Sequence, residues 1–184
     1  DLLRYGYANK STLALIDALQ IFSENPTQPL NTTREGTEVD ESKTDEKKAK
    51  VSFDYDTVLA DAKKFADGDE NLLALIDNID AEAKGAQRGA VNGPSRHYDA
   101  VNGNSTDTYQ ISFIANVLAE ILVSGDGDTD LDLYVYDSNG NLIAYDESYS
   151  DDCYVRWVPA WTGRFFIKIV NRGPVYNNYV ILTN

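Results

Sequence analysis

One change of hydrophobic period, near residue 108, constrains this chain more than any other feature. Before it, apolar residues recur at helical spacing; after it, they alternate. In "STLALIDALQIF", residues 11–22, Leu15, Leu19 and Phe22 fall at i, i+4 and i+7, with Ser11 placed to cap the start. "ENPTQP" ends that helix, because Pro26 and Pro29 cannot continue it. A second helix is predicted over 54–66, with Val58, Ala62, Phe65 and Ala66 on one face, and a third over 70–83. From Thr108 onward strands are predicted at about 108–114, 117–124, 131–137, 141–145, 153–158, 164–171 and 175–183. Asn139-Gly140 marks a tight hairpin within them. The expectation is an α+β chain, helical over 1–100 and an antiparallel β-sandwich over 105–184.

Between the first two helices, residues 31–50 hold one Val and one Ala as their only apolar residues, and read as a flexible charged linker. Four glycines and Pro94 within 85–107 mark the boundary before the sandwich. Leu-Ala-Leu-Ile-Asp occurs at 13–17 and again at 73–77, which reads as two helices offering similar apolar stripes to one bundle rather than as a repeat.

Charge narrows the partners. With 16 basic and 30 acidic residues the net charge is −14, a surface that repels phosphate backbones and anionic lipid and argues against nucleic-acid and membrane partners. No apolar run is long enough to span a bilayer, so no membrane insertion is expected. The chain opens at Asp1 and contains no methionine, as expected of a processed or trimmed product; a cleaved signal peptide is inferred, giving an extracellular or periplasmic location. One cysteine, Cys153, cannot form an internal disulfide.

The acidic stretch "GDGDTDLDLYVYDSNGN", 125–141, is the candidate site. If it is extended, Leu131, Leu133 and Val135 face the core, while Asp128, Asp130, Asp132, Tyr134 and Tyr136 share the outer side, about 7 Å apart at alternate positions. With Asp146, Glu147, Asp151 and Asp152 in the next loop, 126–152 holds nine acidic residues and no Lys or Arg. Such crowding suits either a solvated face or Ca²⁺, which accepts six to eight oxygens in loose geometry. Asp126, Asp128 and Asp130 are the first ligand candidates, closed by Asp151 or Asp152, with Asp132 and Asp137 next. An EF-hand is excluded: counted from Asp126, loop positions six and twelve hold Leu131 and Asp137 instead of Gly and Glu.

"DLDLYVYD" (130–137), "YDESYSDDC" (145–153), "TGRFFIKIVN" (162–171) and "YNNYVILTN" (176–184) together resemble the bacterial pre-peptidase C-terminal domain over about 105–184. The resemblance implies a jelly-roll-like β-sandwich carried behind the catalytic domains of secreted bacterial proteases. It implies a non-catalytic module that assists secretion, binds polymeric substrates or docks onto neighbouring domains, and in some members binds calcium. Many members pair two cysteines here; Cys153 matches the second, but Glu147 stands where the first would be. The first hundred residues resemble no family that we recognise.

The functional expectation is therefore a secreted accessory or binding module, calcium-stabilised, for a polymeric or protein ligand, with a co-secreted protease as a candidate partner. Two rivals are a hydrolase using paired carboxylates and a protease inhibitor binding through its helices. His97, the sole histidine, reads as a surface or packing residue, and no Gly-x-Ser-x-Gly, His-Glu-x-x-His or phosphate loop occurs. Tyr134, Tyr136, Tyr145, Tyr149, Tyr154, Tyr176 and Tyr179, with Trp157 and Trp161, crowd the sandwich; exposed aromatics of this kind suit polymer or protein contact.

Overall fold

A computed structural model describes residues 2–25, 27–30, 32–39, 54–86 and 94–184. The chain forms two compact units, one built from Asp1–Gln28 and Lys47–Pro94, the other from Pro29–Glu46 and Ser95–Asn184. Among the described residues, four helices and two five-stranded sheets make it an α+β protein.

In the first unit the helices are α1 (Leu2–Asn9), α2 (Thr12–Glu24), α3 (Tyr55–Phe65) and α4 (Glu70–Ala86). Ser11 caps α2, its hydroxyl accepting from the Ala14 N–H at 3.4 Å, and Asp54 caps α3 through Thr57. Asp67 and Gly68 turn the chain at positive φ, and Asp69 then accepts from the Asn71 and Leu72 N–H groups to open α4. The buried cluster joins Leu15, Leu19, Val58, Ala62 and Ile76, each fully enclosed, with Phe65 and Phe22 at its margin. Helix α1 is additional to those expected, yet Leu3 and Tyr7 carry its i, i+4 signal and both are buried. The pentapeptide at 13–17 and 73–77 turns different faces inward: Leu15 is enclosed, whereas Leu75 is 43% exposed. Ile16 and Ile76 alone are buried at matching positions, so the two stripes are not equivalent.

The second unit is a sandwich. Its first sheet orders β1 (Gln28–Pro29), β3 (Ser95–Val101), β10 (Asn177–Thr183), β5 (Ala119–Gly125) and β8 (Asp152–Trp157). The other orders β2 (Arg34–Glu35), β4 (Thr106–Phe113), β9 (Gly163–Asn171), β6 (Leu131–Tyr136) and β7 (Leu142–Asp146). Alternation sends Ile121, Val123, Cys153, Val155 and Ile181 inward from one sheet, and Tyr109, Ile111, Leu131, Leu133, Val135, Phe165, Ile167 and Ile169 from the other. The 138–141 hairpin forms as expected, with Gly140 at φ +82°, where an L side chain is disfavoured.

The expected domain boundary requires correction. Residues 29–39 and 95–101, assigned from composition to the linker, the helical segment and the boundary, belong to the sandwich instead. The two-residue edge strands β1 and β2 are too short to show a period, and β3, half-buried along nearly its whole length, shows no clean alternation, so composition misreads them. Residues 40–50, the rest of that expected linker, lie outside the described residues. No helix among the described residues is long and apolar enough to cross a membrane.

Candidate functional site

The outer face of β6, β7 and β9 carries a tyrosine cluster. Tyr134 and Tyr136 alternate outward from β6, and register places Tyr145 of β7 opposite Tyr134. Their rings lie nearly parallel, with centroids 6.4 Å apart for Tyr134–Tyr136 and 6.5 Å for Tyr134–Tyr145. From β9, Lys168 pairs with Tyr134 and sets its ammonium 5.0 Å from the Tyr136 ring, while Phe166 pairs with Tyr136. Tyr145 is exposed and Tyr134 and Tyr136 are half-buried. At one end the Tyr134 hydroxyl meets Asp132 (3.1 Å), Glu147 and the Arg172 guanidinium (3.0 Å). Burial and the two carboxylates push that phenol above its ordinary range, so it stays a neutral donor.

The acidic stretch is less uniform than alternation implied. β6 begins at Leu131, so Asp126, Asp128 and Asp130 precede the strand in a bend and form no straight row. The Asp126 carboxylate accepts from the Asn178 backbone (3.0 Å) and side chain (2.8 Å) and from the Asp128 N–H (3.2 Å). Burial pushes its pKa up despite those bonds, with Asp128 adding to the shift. Asp151 is buried, accepting from the Gly127 N–H, and Asp152 accepts from the Ser124 hydroxyl. Asp137 is buried under the hairpin turn, holding the N–H groups of Asn139 and Asn141 and the Asn141 amide, each at 2.8 Å. Those bonds keep its carboxyl below the usual range.

Asp132 departs most from expectation. It does face outward from β6, but it is buried, paired to Arg172 Nε at 2.5 Å. The expectation of uncompensated charge came from counting Lys and Arg within 126–152; the compensating cation enters from outside that window, just past the end of β9. Asp130 keeps one buried oxygen, Oδ1, without a hydrogen-bond partner. Among the described residues, no three His, Cys, Asp or Glu side chains gather in an arrangement that could hold a metal ion.

A third cluster was missed altogether. Arg34 of β2 donates from Nη2 to Asp107 Oδ1 (3.1 Å) and to the carbonyls of Thr37 and Ala100 (3.0 Å each), with its Nε 3.3 Å from Asp99. The Tyr179 hydroxyl donates to the other Asp107 oxygen at 2.7 Å, and Tyr109 donates to Asp99 at 2.9 Å. Asp107 is fully enclosed; Gly36 lies so close that a Cβ there would collide with the Asp107 carboxylate. Two carboxylates beside tyrosines resemble the pair a hydrolase needs, but the 34–38 segment covers Asp107 and leaves a substrate no route to it. "TREGTE", in a run of low hydrophobicity, gave no local sign of this, since its partners Asp99, Asp107 and Tyr179 lie far along the chain.

Cys153 is buried and its thiol donates to the Leu131 carbonyl at 3.0 Å. Burial, then the neighbouring aspartates, pushes its pKa up to about 12, so it is an inert core residue. His97, on β3, meets Asp99 at 3.3 Å and packs edge-on against Tyr109. Trp157 packs against the core, and Trp161 stacks on Phe165 with centroids 5.7 Å apart.

No protein-family profile matches the chain, and no curated protein matches it in sequence. Among solved structures it is similar to the pre-peptidase C-terminal domain of a Bacillus anthracis collagenase, at 13% identity and TM-score 0.41, covering 49% of this chain and 88% of that one. It is also similar to the Aeromonas hydrophila periplasmic inhibitor of g-type lysozyme, at 11% identity and TM-score 0.39, covering 50% of this chain and 84% of the inhibitor. A third is a carbohydrate-binding module from Cellvibrio mixtus lichenase 5A, solved with cellotriose, at 11% identity and TM-score 0.30, over 52% and 89% of the two chains. The domain that residues 105–184 resemble thus recurs among these structures, and the likeness extends to architecture and no further.

Proposed function

We propose that this chain is a non-catalytic binding module, acting in an extracellular or periplasmic setting, that holds an extended polymeric ligand along β6 and β7. The observation that carries the reading is the group of Tyr134, Tyr136 and Tyr145, aligned on an open sheet face beside Lys168 and Arg172. Tyrosine and arginine supply large contact area together with hydrogen-bond donors, which is why they dominate binding surfaces. The cluster also lies on rigid strands, so its rings need little ordering when a ligand arrives.

The test is co-sedimentation of the full chain with insoluble polysaccharides and fibrous proteins. A retained polymer should be released by Tyr136→Ala plus Tyr145→Ala, with affinity falling about tenfold or more. Because Tyr145 is 58% exposed, its replacement should change stability by no more than about 0.5 kcal/mol. Retention unchanged in the double variant, or no polymer retained at all, rejects the reading.

Calcium at the 126–130 corner is a second reading, favoured by the partnerless Asp130 Oδ1 and by the position of Asp128 beside the buried Asp126. It requires Asp128 and Asp130 to turn toward one ion, since the described carboxylates do not converge. Calcium at a hundred times its dissociation constant should stabilise by about 2.7 kcal/mol, raising the melting temperature by roughly 10 °C. An unchanged melting temperature at millimolar calcium excludes a structural ion.

A further inference from the structure

The ends of the sandwich differ in kind. Asp126, Asp128, Asp130, Asp151 and Asp152 gather where β5 ends and β8 begins. At the opposite end, the β4–β5 turn exposes Ile114 (65%), Val117 (52%) and Leu118 (43%), and the β8–β9 turn exposes Val158 (60%) and Trp161 (40%). The two turns are tied together: Asn116 N–H donates to the Pro159 carbonyl at 2.8 Å, and Ala115 N–H to the Thr162 hydroxyl at 2.9 Å. Asn184 braces the first turn further by donating to the Leu118 carbonyl at 2.7 Å. The apolar side chains are thus held outward by bonded backbone.

Two exposed arginines flank this end, one on each sheet. Arg164 points outward from β9 opposite Ser112, and Arg156 points outward from β8 opposite Glu120. Neither has a salt-bridge partner among the described residues. The acid at this end, Glu120, accepts a hydrogen bond from the Tyr154 hydroxyl.

We propose that this apolar end, with its two arginines, docks onto the interfacial region of an anionic lipid bilayer without crossing it. Five exposed apolar side chains are far fewer than the roughly 20–30 residues that a stable protein interface engages on each side. Shallow insertion needs fewer, with tryptophan at the headgroup level and arginines against anionic headgroups. The net charge of −14 predicts repulsion, but distribution decides here. The seven residues of β5 separate the acidic corner from the apolar end by roughly 20 Å at ~3.3 Å per residue, more than two Debye lengths of ~8 Å in physiological salt. The far carboxylates are therefore largely screened from a surface that the arginines touch.

The experiment is sedimentation of the full chain with vesicles of phosphatidylcholine alone and of equimolar phosphatidylcholine and phosphatidylglycerol, at low and high salt. Binding should favour the anionic vesicles and weaken with salt. Ile114→Asp with Val117→Asp should lower it about tenfold or more, and Arg156→Gln or Arg164→Gln about fivefold each. All four side chains are exposed, so unchanged melting temperatures will show that the variants fold. No binding to either vesicle, equal binding to both, or binding indifferent to the aspartate variants overturns the proposal. So does a dimer of the free chain that those variants dissociate, because a second copy would then cover this end.

Discussion

Arg34→Ala should destabilise the sandwich by about 2 to 4 kcal/mol, a little under the range for breaking a fully buried charge pair, because Arg34 keeps some solvent contact. Arg34 lies opposite Asp99 and the enclosed Asp107, and its Nη2 also serves the Thr37 and Ala100 carbonyls. Without it, Asp107 and two carbonyls lose their donor, Asp99 loses its ion pair, and the 34–38 segment loses its anchor. Both tryptophans lie in the sandwich unit, so their fluorescence through a denaturant titration reports this unit separately from the helices. A midpoint equivalent to less than about 0.5 kcal/mol of destabilisation would make the cluster ornamental.

The pH dependence of that variant supplies a sign. Burial pushes Asp99 up, but His97, the Ala100 N–H, Tyr109 and Arg34 outweigh it and hold the carboxyl below the usual range. Asp107 is the reverse: burial outweighs the help of Tyr179 and Arg34, leaving its pKa raised. The depressed Asp99 adds stability above its unfolded pKa and loses it as pH falls through the folded value. The raised Asp107 favours the fold below its unfolded pKa and loses that advantage as pH rises through the folded value. Removing Arg34 moves both carboxyls upward, so the variant tolerates acid better than neutrality. The destabilisation should therefore be largest near pH 7 and shrink toward pH 4, and a constant difference would contradict the charge pairing.

Leu133→Ala should cost about 3 kcal/mol, within the range for emptying a fully enclosed leucine site. Leu133 lies mid-strand between Leu131 and Val135, all three enclosed in the inter-sheet core. The rigid sheets on either side cannot collapse into the space, so a cavity remains. Tyr149→Ala, 98% exposed in the loop after β7, is the control and should lie within about 0.5 kcal/mol. A loss at Leu133 no larger than at Tyr149 would mean that β6 does not seat its apolar row in the core.

Leu133 and Arg34 differ in how far their meaning was readable. A strand with one buried face must alternate, so Leu131, Leu133 and Val135 announced both the element and its inward side from a few adjacent positions. The same local logic carried the Ser11 cap, the Asn139-Gly140 hairpin and the tyrosines of the outer face, since each depends on near neighbours in the chain. It failed at Asp132 and throughout residues 34–38. There the outcome depends on which distant cation the topology delivers, and a window of any practical length omits it.

The sequence alone determined that helices are followed by a sandwich, the strands at its centre and the residues that fill its core, because periodicity is a property of adjacent positions. Only the tertiary structure decided that Arg172 neutralises Asp132, that a polar segment before α3 closes over Asp107, and that apolar and acidic side chains collect at opposite ends of the sandwich. Those features depend on sheet order and register, which bring together residues far apart in the chain. Electrostatic pairing and surface patches are set by that proximity, and no local pattern encodes it.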